Sequence, residues 1–531
     1  MKQILFIGTI ISIVLFAMQS CNQNNVDYTK TEEVAVQDSI PAEQEIIELP
    51  LPDTIFPSIE RLKYDITIFD TTSSGELVYI NSAYDNAQGI FTFRGSPYRD
   101  APFCAHIDSV PTKITIDWTY TTDFDNSNTC LGTWGGGTGW TGQPLYIHWT
   151  PEQVENIKQN DDSLTQFFDD EELIIASLSG YVHFINYKTG KDTRKIINAL
   201  NNVKGTPSLD PSLNGNLYVG QGIPRKQPIG AEVINLHSHS VTHFFPNDHN
   251  AWRSWGAYDA SPIIVGGFLI RVGENGTIYK FSVADSTLKL HSTLRYTANG
   301  NNSAGIESSM AVYRNYGYTA DNHGNILCIN LNNLRPVWYY DNHDDTDASP
   351  VIEIEDGIPY LYTGCEMDRQ GMQGISYIVK LNALTGERIW ERQIECKKFI
   401  TGGKHFDGGM YSTPLLGRGN CEDLIFTNIC LYNSNGSGSL YAISKKTGEV
   451  VYTTPLKCYA WSSPIAILNN NNEMYVFTGD TQGRVYIIEG KTGKTLICEQ
   501  IGANFESSPI AIDNHIVVGS RGSNIYKLSI Q

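Results

Sequence analysis

Four carboxylates, Asp259, Glu307, Asp347 and Glu506, recur at one register of this 531-residue chain, each three residues ahead of the third position of a repeated strand-entry signature. The same register in the other copies holds Thr141, Lys204, Tyr411 and Trp461. Carboxylates brought together raise one another's pKa or recruit a cation, and calcium is the metal that oxygen-rich sites favour. The plainer alternative is a set of solvated loop acids in an acidic chain. A second candidate is Trp134-Gly135-Gly136-Gly137-Thr138-Gly139-Trp140. Two indoles flanking a glycine run can form a flat platform for a sugar or aromatic group, or can pack as a plug over a channel. A third, Lys404-His405-Phe406-Asp407, sets one His beside one Asp. That pair is weak ground for acid–base catalysis, and a hydrogen-bonded polar loop explains it better.

The signature that sets this register is a small or hydroxyl pair followed by proline and an aliphatic residue, as in Ser462-Ser463-Pro464-Ile465 and Ser507-Ser508-Pro509-Ile510. Its third position falls at Pro144, Pro207, Pro262, Met310, Pro350, Pro414, Pro464 and Pro509, with spacings of 40 to 64 residues. Eight repeats of that length predict an all-β, eight-bladed β-propeller with one four-stranded blade per repeat. One blade reads Ser462 to Ile467, Glu473 to Gly479, a turn at Asp480-Thr481-Gln482-Gly483, Arg484 to Ile488, then a reversal at Lys491-Thr492-Gly493-Lys494. Alternating apolar residues and Gly-bearing turns are what antiparallel hairpins require. If each proline opens the innermost strand, the eight register residues line one mouth of the central channel. The eighth repeat ends at Leu528 without a fourth strand, and Ile114 to Tyr120 has the pattern to supply it, closing the ring from the N-terminal side. Fourth strands look degenerate at Thr193-Arg194-Lys195 and Thr495-Leu496-Ile497, and a capped helix is expected from Thr150 to about Phe168.

The Ser-Ser-Pro strand starts, the Gly-x-x-Gly-x-[Ile/Val]-Tyr hairpins, Phe93-Arg94-Gly95 and the edge from Thr385 to Trp390 resemble PQQ-type, or quinoprotein-like, β-propellers over roughly residues 90 to 531. The resemblance implies either of two functions. One is the role of the non-enzymatic lipoprotein branch associated with outer-membrane protein assembly: a binding or assembly scaffold for a protein, peptide or glycan, with no cofactor. The other is a PQQ- and calcium-dependent alcohol or sugar dehydrogenase. Enzymes of that kind carry an adjacent Cys-Cys pair over the cofactor, and no two cysteines are adjacent here.

The first twenty residues hold Lys2, an apolar run from Ile4 to Met18 and then Gln19-Ser20-Cys21, which resembles a bacterial lipoprotein signal with Cys21 as the lipid-attachment residue. Residues 21–60 read as an acidic, proline-containing flexible tether and residues 61–531 as the propeller. In lipoproteins of that kind Asp after the cysteine is the inner-membrane retention signal, so with Asn22 there the resemblance implies the outer membrane, on either face. A net charge of −19 with no basic cluster argues against nucleic acid as a partner. The other nine cysteines lie mostly in apolar strand contexts and read as small buried hydrophobes.

Overall fold

The computed structural model describes residues 47–531 apart from 49, 73, 78, 81, 86–87, 130–131, 141, 226–227, 285–286, 302, 402–403 and 434–435. Cys21, its signal, most of the tether, Cys130 and Thr141 therefore lie outside the described residues. The eight repeats form eight four-stranded antiparallel blades, seven of them with their strands in chain order from the channel outward and the eighth taking its outermost strand from upstream. Blade 7 is Ile465–Asn469, Met474–Gly479, Arg484–Glu489 and Thr495–Gln500. The last of these is a regular strand, so the reading of Thr495-Leu496-Ile497 as degenerate is corrected: Ile497 buries its side chain opposite Ile487. In blade 1 the fourth strand shrinks to Ile197–Asn198. Arg194 turns inward there and pairs with Glu172 at 2.8 Å and Asp161 at 3.1 Å, all three side chains fully buried.

Ile114–Thr121 pairs antiparallel with Asn524–Ile530 and completes blade 8 as expected, with Tyr120 opposite Ile525. The helix is shorter than its sequence suggests, running Pro151–Asn160. Thr150 and Gln153 form a reciprocal capping box at its start. It stops at Asp161, whose carboxylate is taken by Arg194. The body also begins before residue 61. Leu51 N–H donates to Asn315 Oδ1 at 2.6 Å, Phe56 N–H donates to Val337 O at 2.9 Å, and Leu62–Ile68 adds a fifth strand to the outer edge of blade 3.

Two hydrogen-bond systems around the channel explain the signature. At four of the blade interfaces the hydroxyl at the second signature position accepts from the backbone N–H of its counterpart in the preceding blade: Ser261 N–H to Ser309 at 2.9 Å, Ser309 to Ser349 at 2.8 Å, Thr413 to Ser463 at 3.0 Å and Ser463 to Ser508 at 3.3 Å. The hydroxyl one place earlier caps the blade's own second strand, as Ser308 does with Ala320 and Ser412 with Asn428. Proline then opens the innermost strand, where its missing N–H leaves no unpaired donor facing the channel.

The other end of the channel is filled by residues 89–107. Phe91 O accepts from Leu209, Pro97 O from Val312 and Tyr98 O from Ile352. Arg94, fully buried, donates to Pro464 O at 2.9 Å and Pro414 O at 3.5 Å. Arg99, also fully buried, donates to Met310 O, Ser261 O and Phe93 O at 2.9, 3.1 and 2.9 Å. Ala105–Ile107 adds a parallel strand to blade 7, His106 N–H donates to Asp513 O, Gly89–Ile90 pairs with blade 1, and Arg418 holds the carbonyls of Asp100, Ala101 and Pro102. This strap touches all eight blades. Burial pulls Arg94 down to about 9 and Arg99 down to about 10, and both remain protonated at neutral pH with carbonyl dipoles as their partners.

At the rim, a fourth-strand tryptophan docks on the next blade. Trp338 Nε1–H donates to Ala383 O at 2.9 Å, Trp390 to Lys445 O at 2.8 Å and, across the closure, Trp118 to Tyr187 O at 3.0 Å. The indoles lie against Gly386, Gly448 and Gly190, which have φ of +72°, +70° and +66°. A Cβ at Gly448 would fall 2.6 Å from the Trp390 ring. Gly448→Ala combines left-handed strain with overpacking and is expected to cost about 2–4 kcal/mol. A urea midpoint equal to that of the parent would refute the docking.

Candidate functional site

With the strap at one end, the loops between blades and the turns after each second strand meet at the open end. The described register residues are delivered there by the strand-entry loops and fall into four groups. Lys204 of blade 2 forms an ion pair with Asp259 and lies 3.5 Å from Glu307 Oε2. Glu274, from the turn after the second strand of blade 3, joins them, and one carboxylate oxygen each of Asp259, Glu274 and Glu307 lie within 4.8 Å of one another. Glu274 Oε2 also accepts the Trp255 indole N–H at 2.6 Å. Burial, then the charges of Glu307 and Asp259, hold the Glu274 carboxyl well above its ordinary value.

A second triad lies beside it. Asp345 and Asp347, on the loop into blade 5, meet Glu366, which follows the second strand Ile358–Gly364, again within 4.8 Å. Backbone hydrogen bonding fixes the arrangement: Glu366 N–H donates to Asp345 O at 2.8 Å and Met367 N–H to Gly408 O at 2.9 Å. Burial, with Glu307 as the next cause, pushes Asp347 up to about 7. Asp345 and Glu366 are held well above the carboxylate range by burial and by Asp347. Like charges this close cannot all ionise in a low-dielectric site.

Glu506 stands apart from both triads, held by Arg521 at 3.2 Å and Asn504 at 2.9 Å. The four carboxylates at the shared register therefore do not make one ligand set. Two join the Lys204 group, one joins the second triad and one is neutralised by arginine. Tyr411 and Trp461 stack with centroids 4.9 Å apart, and Trp140 meets the Tyr411 ring edge-on at 6.1 Å. Trp134 lies under two cations, Arg521 at 5.2 Å and Lys204 at 5.9 Å. The two indoles thus take separate places in the wall. The glycines between them allow close backbone passage: a Cβ on Gly137, at φ +72°, would overlap Ser520 O at 1.7 Å.

The third candidate forms the short hairpin Phe399–Thr401 and Lys404–Phe406, and Asp407 pairs with Lys398 at 2.7 Å. Glu274, Asp345 and Glu366 were not singled out from the sequence. Glu274 sits in Gly273-Glu274-Asn275-Gly276, a turn of obvious structural use, and its position at the same end of the blade as the entry loops was the available signal.

A family model described as outer membrane protein assembly factor BamB matches residues 374–496, which span blade 5 into blade 7. No curated protein sequence matches the chain. Among solved structures, a europium-containing methanol dehydrogenase is similar with a TM-score of 0.57 at 10% identity, covering 85% of this chain and 100% of that one. The quinohemoprotein alcohol dehydrogenase of Comamonas testosteroni gives 0.57 at 11% identity, covering 83% and 80%. BamB from Moraxella catarrhalis gives 0.46 at 14% identity, covering 70% and 96%. Similarity at these identities concerns the fold. The eight closed blades make the chain an eight-bladed β-propeller, and residues 374–496 carry repeats that match the assembly-factor family model.

Proposed function

We propose that this chain is a non-catalytic, lipid-anchored binding scaffold of the bacterial cell envelope, held at the outer membrane through Cys21, which engages an envelope protein, peptide or glycan. The observation that carries this reading is the blind channel. One end is sealed by the strap, and the other gathers carboxylates and aromatic rings at a single mouth. Acidic and aromatic groups on loops held by a closed ring suit recognition. The family-model description names an outer-membrane assembly factor, which favours a polypeptide ligand of the envelope.

A quinone dehydrogenase is the alternative that the similar folds raise, and the mouth fits its cofactor poorly. Pyrroloquinoline quinone is a planar tricarboxylate. Here the Tyr411 and Trp461 faces are already stacked on each other, carboxylates outnumber cations, and Lys204 and Arg521 are engaged by Asp259 and Glu506. The eight described cysteines outside the masked segments are all free.

Three outcomes test the proposal. Purified protein given pyrroloquinoline quinone and calcium is expected to show no dye-linked oxidation of alcohols or sugars; calcium-dependent turnover would overturn the scaffold reading. Cys21→Ser is expected to move the chain from membrane to soluble fractions, and retention in the membrane would remove the anchor. The third is pH dependence. Because the folded pKa of Asp347 is raised to about 7 from 3.8, its stabilising contribution is fully present below 3.8 and is lost as pH rises through about 7. The urea midpoint should fall across that window, and Asp347→Asn should flatten the fall; an equally steep profile in the variant refutes the assignment.

A further inference from the structure

The two triads differ in one respect. In the first, the protein supplies its own ammonium: Lys204 Nζ sits among Asp259 and Glu307, with the Trp134 ring 5.9 Å away. In the second, among the described residues, no ion pair reaches Asp345, Asp347 or Glu366. Glu366 is 5% exposed, its Oε1 and Asp345 Oδ1 are buried and accept no hydrogen bond, and one carboxylate oxygen of Glu366 lies within 4.8 Å of one each from Asp345 and Asp347. An unpaired carboxylate oxygen at that depth carries a desolvation cost that a cation would offset. Aromatic groups accompany this triad too: Glu366 lies against Tyr411, which stacks on Trp461 beside Trp140.

We infer that the Asp345–Asp347–Glu366 triad and the Trp140–Tyr411–Trp461 wall form a binding site for an organic cation, a primary ammonium or guanidinium group delivered by the ligand. The inference rests on the binding-scaffold reading and names the chemistry of what is bound. In this site the incoming group takes the place that Lys204 takes in the neighbouring triad. Its charge is met by carboxylates and its alkyl stem by the flank of the aromatic wall, the combination that recognises alkylammonium groups. A hard divalent ion is less well served. Calcium takes six to eight oxygens, whereas the aromatic wall supplies almost none. The groups facing the triad are Glu307 and Lys204 across the mouth, Asp368 on the loop after Glu366, and Tyr411 on the loop into blade 6. A cation arriving there lowers the carboxyl pKa values, so binding should release protons near neutral pH.

The test is calorimetric titration of the full chain with three probes: spermidine, the blocked peptide acetyl-Gly-Lys-Gly-amide, and calcium chloride, each in two buffers of different ionisation enthalpy. Amine binding with a buffer-dependent enthalpy is expected. The tighter of the two amine probes distinguishes a free polyamine from a lysine side chain on a polypeptide. The Asp347→Asn/Glu366→Gln double variant removes charge from a self-repelling cluster and should remain folded. It is expected to weaken amine binding at least tenfold while keeping or raising the urea midpoint. Absence of amine binding at millimolar concentration, calcium binding without amine binding, or unchanged affinity in the double variant would each overturn the inference. Those failures are distinct from dye-linked turnover, which would overturn the scaffold reading itself.

Discussion

Closing eight sheets around a channel leaves eight inner strands with backbone groups that have no neighbour on one side, and the structure depends on satisfying them. The signature residues do this in the plane of the ring, where Ser309, Ser349, Ser463 and Ser508 each accept a backbone N–H from the blade before. The strap does it along the axis, with two buried guanidinium groups serving carbonyls that no strand can reach. An unsatisfied buried backbone group costs of order 1–3 kcal/mol, so several such groups would rival the net stability of a domain. Serine or threonine, proline and a buried arginine are therefore dictated by the topology.

The same solution divides the molecule into two ends of different character. Carbonyls of the strap region are paired with arginines whose charge is spread over dipoles, leaving that end closed and chemically quiet. At the other end the loops carry no such duty and can hold groups that cost stability. Asp345, Asp347 and Glu366 are a net liability to the fold, since burial and mutual repulsion hold their carboxyls well above the ordinary range. Costly groups of this kind persist where binding recovers what folding loses.

The rim follows a third rule with a shared physical basis. Each docking tryptophan needs a carbonyl for its N–H and a residue without a Cβ beneath its ring, and one Thr-Gly turn provides both. Using Trp118 for this contact in blade 8 makes the closure continuous with the other blade interfaces, although that strand comes from far upstream in the chain.

Much of this was legible beforehand because it repeats. Eight strand entries, the Gly-bearing hairpins and the missing last strand are local patterns, and their periodicity alone determined an eight-bladed ring closed by residues 114–120. The register also carried Lys204, Asp259, Glu307, Asp347, Tyr411, Trp461 and Glu506 to one mouth, since equivalent positions on a ring share an end. Which of them would meet was decided only in three dimensions. Glu274 and Glu366 come from a different turn of the blade, and Arg521 claims Glu506 from within the same blade. Periodicity records where a residue sits within its repeat, while ion pairing falls off with distance between repeats. A shift of a few ångströms separates the triad that holds its own lysine from the one that has none.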